Sequence, residues 1–93
     1  MNAKLTNEYV DKFDINGKEH VIKIICFDSP VFSNNAVSCK TLVSVFNEED
    51  VLIKSLALPE EVKESEKELV FSDIKKLMTN ETNWEYRTTR THL

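Results

Sequence analysis

The stretch FDINGKEHVIKIICF, Phe13 to Phe27, holds the only glycine of the 93-residue chain, set between two runs rich in β-branched and aromatic residues. Asn-Gly flanked by extended-looking runs is the strongest short-range signal for a β-hairpin. A primed turn needs positive φ, and Gly17 supplies it without steric cost. The first strand is expected over about 8–15 and the second over 19–27. A two-residue loop pairs Ile15 with Lys18. A three-residue loop pairs Asp14 with Lys18 and is slightly favoured, because it sets an acid opposite a lysine. In the outgoing run, Ile22, Ile24 and Cys26 share one side and Val21, Ile25 and Phe27 the other. A strand apolar on both sides belongs in the middle of a sheet.

Downstream, Asp28-Ser29-Pro30-Val31-Phe32-Ser33-Asn34-Asn35 reads as a loop, with Pro30 lacking a donor and Phe32 as an anchor on the core. From Ala36 to Phe46 the pattern alternates. Val37, Cys39, Thr41, Val43 and Val45 fall on one face, against Ser38, Lys40, Leu42 and Ser44 on the other. Asn47 to Asp50 makes a polar turn, and Val51–Leu58 is a fourth strand antiparallel to the third.

A helix is expected next, opened either by Pro59-Glu60-Glu61 or by a capping box from Ser65 to Glu68. Leu69, Val70, Phe71, Ile74, Leu77 and Met78 form its apolar stripe, and it ends near Thr79-Asn80. A competing reading has Glu68–Phe71 extended and only Ser72–Thr79 helical. Trp84-Glu85-Tyr86-Arg87-Thr88 alternates once more, as a final strand would. The expected fold is therefore α+β: an antiparallel β-sheet of four to five strands, in the order β-β-β-β-α-β, packed on one amphipathic helix. It forms one small domain, 1–93, with 1–7 and 89–93 frayed.

Composition fits this: 41% hydrophobic, 30% charged, two prolines. No apolar run reaches the roughly 20 residues of a membrane-spanning helix. Met1 to Glu8 lacks an apolar signal core, and Asn2 excludes myristoylation. The expected location is the cytoplasm, with Cys26 and Cys39 as reduced thiols and no membrane contact. The composition is common among bacterial and bacteriophage accessory proteins.

Net charge is −4 and pI about 5.1, which disfavours generic binding to nucleic-acid phosphates. The charge is uneven. Glu48 to Glu68 contains eight acids against three lysines, a net of −5, leaving the remainder at +1. Glu48, Glu49, Glu60, Glu61 and Glu64 are accordingly candidate contacts for a basic partner.

Catalysis is not expected. One glycine cannot build a phosphate-cradling loop or a nucleophile elbow. Cys26 and Cys39 are thirteen positions apart with no CxxC, so no metal site and no cofactor are expected. Both cysteines fall in apolar strand patterns, where a thiol behaves as a small hydrophobe. A Cys–His nucleophile would have to join Cys26 or Cys39 to His20.

Two features point to binding. Trp84, Tyr86, Arg87 and Arg90 are residue types that dominate interfaces and also stack on single-stranded bases. In addition, one helix covers only one face of a sheet, whereas Val21, Ile25, Phe27, Leu42 and Phe46 put apolar groups on the other. The leading expectation is a non-catalytic protein–protein interaction module. It would self-associate, possible homodimer included, or present an acidic surface to a basic partner, for example by occupying that partner's nucleic-acid site. The alternative is a weak single-stranded nucleic-acid binder working through the C-terminal aromatic and arginine segment.

Overall fold

A computed structural model describes residues 3–32 and 38–91, with 81–91 as backbone alone. Four strands follow in chain order: β1 (Leu5–Ile15), β2 (Lys18–Phe32), β3 (Ser38–Phe46) and β4 (Leu52–Leu58). They form an antiparallel meander, β1-β2-β3-β4, so β2 and β3 are central and β1 and β4 are edges. A 3₁₀ turn at Glu64–Glu66 leads into one helix, α1 (Lys67–Thr91).

Three elements depart from the sequence-based expectation. The hairpin loop has two residues, with Ile15 paired to Lys18, not three. Asn16 (φ 55°) and Gly17 (φ 81°) both take the left-handed region, as a primed two-residue turn demands. This loop leaves Asp14 opposite Glu19, and Lys12 reaches Glu19 diagonally at 3.4 Å. β2 runs on through the expected loop to Phe32. The turn-forming residues 27–30 bulge out between the Cys26–Thr41 and Val31–Cys39 pairs, so Pro30 needs no ladder donor there. Phe32 is exposed and does not anchor on the core. Ser33–Val37 lie outside the described residues.

The third departure is the C-terminus. No final strand follows the helix; α1 continues to Thr91. No glycine or proline follows Pro59, so nothing in the sequence stops the helix near Asn80. Of its two expected starts, the one at Pro59 is not taken, and the one at Ser65 falls within two residues of Lys67. The chain bends at Pro59 and Glu60, 61–63 carry no regular structure, and the entry is capped where Glu66 Oε1 accepts the Lys63 N–H at 3.0 Å. The Glu68–Phe71 stretch is helical.

The sheet has two unlike faces. The inner face carries His20, Ile22, Ile24 and Cys26 from β2 and Cys39, Thr41, Val43 and Val45 from β3, all buried. Val62, Phe71, Ile74 and Met78 close over Ile22, Ile24, Cys26, Val43 and Val45. Burying one such large side chain contributes about 1.5–3 kcal/mol, so this layer dominates stability. The helix lies on the β1 side: Lys75 Nζ meets Asp11 Oδ2 at 2.6 Å, and Lys67 sits over the Tyr9 ring at 5.3 Å. Leu69, expected in the apolar stripe, is exposed, because it lies beyond the sector that faces the sheet.

Residues 59–63 cross the inner face from β4 back to β1. Thr41 Oγ1 donates to the Glu60 carbonyl at 2.7 Å and accepts from the Val62 N–H at 3.1 Å. Cys26 Sγ lies 3.4 Å from the Val62 carbonyl, and Thr6 Oγ1 donates to Glu61 Oε2 at 2.8 Å. This strap sets where α1 begins.

Candidate interaction surface

The register places the outer-face residues in rows across the strands. Lys12, Val21, Phe46 and Leu52 form one row; Glu8, Ile25, Leu42 and Ala57 form another. Between them runs Val10, Lys23, Ser44 and Ser55. Lys23 does not break the apolar surface, because its ammonium lies over the Phe46 ring at 5.3 Å and its stem covers the gap. Val21, Ile25, Phe27, Leu42 and Phe46 are all half-buried on this face. Val10 and Leu52, at 52% and 51% exposure, extend the surface toward its two sides. Among the described residues, no helix or strap covers this face.

The two edges differ. β1 carries Glu8, Asp11, Lys12 and Asp14, a bulge at Leu5–Asn7, and α1 against it. These are the devices by which natural sheets discourage pairing. β4, Leu-Ile-Lys-Ser-Leu-Ala-Leu, carries one charge and one irregularity near Leu52, after which Lys54–Leu58 is regular. Its inner-facing Leu56 and Leu58 are only half-buried, since α1 favours the β1 side. Beside Leu58 a groove of about 410 Å³ opens between β4, the strap and α1, with Val62, Leu69 and Val70 among its walls and Glu60, Glu61 and Glu66 at its rim. Sequence reasoning missed this groove. Its signal is the half-burial of alternate β4 residues, which depends on where the helix lands.

The acidic segment is not one surface. Glu48, Glu49 and Asp50 sit in the turn before β4, where Asn47 Oδ1 accepts the Glu49 and Val51 N–H groups and Glu48 pairs with Lys18 at 3.6 Å. Glu60, Glu61 and Glu64 lie after β4. At about 3.4 Å per residue, the intervening strand holds the two groups more than ~20 Å apart. Glu49 and Asp50 therefore precede β4 and Glu60 follows it, while the Glu61 carboxylate is drawn across to Thr6 on β1.

Trp84, Tyr86, Arg87 and Arg90 lie in the last turns of α1, and their side chains fall outside the described residues. A helical backbone replaces the period-two alternation on which the final-strand reading rested. His20 and Cys26 are six residues apart on one strand, roughly 20 Å, and Cys39 lies beyond, opposite Val31. The fold therefore does not bring His20 to either cysteine. His20 Nδ1 instead lies 2.9 Å from the Lys18 carbonyl, its ring tilted against Phe13.

Comparison with known protein families, with curated proteins and with solved structures finds no match. Among the described residues, no helix is long and apolar enough to cross a membrane.

Proposed function

We propose that this chain is a non-catalytic protein-interaction module acting in the cytoplasm, and that its binding surface is the outer sheet face on the side that reaches β4. One observation carries the reading: two apolar rows, Val21–Phe46–Leu52 and Ile25–Leu42–Ala57, cross the sheet with no covering element among the described residues. A contiguous apolar area of this kind marks association in soluble proteins. The non-catalytic reading is supported by the separation of His20 from Cys26 and Cys39 among the described residues.

The test is a double lysine substitution, Val10→Lys with Leu52→Lys. Both side chains are already half in water, so the fold should hold. Association with the partner captured from the producing cells should drop by at least about tenfold. Undiminished capture by a variant that melts like the parent would contradict the reading. Light scattering on the pure chain distinguishes self-association from a foreign partner.

A further inference from the structure

We infer that β4 is a docking edge which takes up an extended apolar segment of another protein, flanked on both sides by lysine or arginine, as a fifth strand of the sheet. This rests on the interaction-module reading and adds the mode of binding and the chemistry of the partner.

Three observations converge. β4 lies at the end of the sheet order, and among the described residues no strand flanks its outward side. Alternate residues of an edge strand turn their N–H and C=O groups outward, a template for another chain. Beyond this backbone, both faces are apolar next to β4. Leu52 and Ala57 lie on the outer side. On the inner side are Leu56, Leu58 and the groove walled by Val62, Leu69 and Val70. A fifth strand alternates its side chains between these two surfaces, the inner of which includes the 68% exposed Leu69.

The charges choose the occupant. An added strand about as long as β4 ends beside Glu49 and Asp50 at one end and beside Glu60 at the other, whichever direction it runs; Glu48 is taken by Lys18, and the Glu61 carboxylate is held by Thr6 on β1. Basic residues at both ends of the guest meet Glu49 and Asp50 at one end and Glu60 at the other. A second copy of this chain does not. Antiparallel self-pairing about Ser55, the centre of β4, sets Asp50 of one copy against Glu60 of the other, acid against acid at both ends. The acids thus disfavour β4–β4 dimerisation while leaving the edge open to a cationic guest.

The test is a nuclear magnetic resonance titration of the full chain at low salt. The probe is a synthetic peptide of alternating valine and threonine with two lysines at each end. Main-chain hydrogen bonds carry most of the affinity in strand addition, so an unoptimised sequence suffices. Amide shifts are expected along Ser55–Leu58 and at Val70, with binding that weakens as salt rises. N-methylation of alternate peptide residues, or lysine-to-glutamate exchange at its ends, should abolish them. Glu49→Lys with Glu60→Lys should weaken binding by about tenfold or more while leaving the melting temperature near the parent's. The inference is overturned by no binding at low salt, by shifts confined to β1 or the outer face, or by a dimer that forms through β4. If the Val10→Lys/Leu52→Lys variant loses its partner while the peptide leaves β4 silent, the module reading stands and strand addition alone fails.

Discussion

The Thr41 hydroxyl serves the Val62 N–H as acceptor, at 3.1 Å, and spends its own proton on the neighbouring Glu60 carbonyl, at 2.7 Å. Thr41 is fully buried and Val62 nearly so. One side chain on a central strand thus satisfies two backbone groups of the strap, and the strap delivers α1 onto the β1 side. Thr41→Val keeps the shape and removes both bonds, leaving the buried Val62 N–H and the part-buried Glu60 C=O without this partner. Destabilisation of about 1–3 kcal/mol is expected in urea unfolding, with Thr41→Ser recovering most of it. Equal stability for Thr41→Val would mean that the strap is held by burial of Val62 alone.

The helix should be sensitive on one side only. Phe71 is buried and Leu69 is exposed, two positions apart. Phe71→Ala should cost about 3–5 kcal/mol, and Leu69→Ala less than about 0.5 kcal/mol. Comparable losses at the two positions would mean that the helix is rotated from the orientation described.

The acid limb of the stability curve should depend on Asp11. The hydrogen bond from Lys75 holds the Asp11 carboxyl below the usual aspartate value, against the opposing effect of desolvation. A carboxylate whose folded pKa is depressed contributes stability above its unfolded pKa, near 3.9, and loses it as pH falls through the lower folded value. Asp11→Asn should therefore be less stable than the parent at neutral pH, with the difference shrinking below about pH 4. Both side chains are about one-third exposed, so the effect at neutral pH stays under about 1 kcal/mol. Parallel stability curves for variant and parent down to pH 2 would contradict this.

Gly17 tests the turn. A β-carbon there meets nothing within 4 Å, so the cost of Gly17→Ala is conformational, from φ near +81°. About 1–2 kcal/mol is expected. A neutral effect would contradict a left-handed residue 17, which both loop lengths require.

Much of the sheet was legible because period-two alternation reports burial directly. The split of β2 into Ile22, Ile24, Cys26 and Val21, Ile25, Phe27, and that of β3 into Cys39, Thr41, Val43, Val45 against its neighbours, follow from pattern alone. The hairpin register was not legible, since Asp14 opposite Lys18 favours one loop while Asn16, which tolerates positive φ, allows the other. The Ser65 start falls within two residues of the observed helix, whereas the Pro59 start fails for a related reason. Pro59 and the acids after it resemble a first turn, yet the backbone there is claimed by Thr41, twenty residues upstream, through a contact that no local pattern records. The acidic stretch read as one surface in sequence because the strand that parts Glu49 from Glu60 is invisible to a charge count.

The account's central claim, that the outer sheet face is where this protein meets its partner, is tested most directly by photo-crosslinking. A crosslinking amino acid is placed at Ser44, in the middle of that face, or at Ser72, exposed on the helix away from it. Irradiation of the producing cells should give one dominant protein adduct from position 44 and only background from position 72. Adducts from position 72 with none above background from position 44 would contradict the claim.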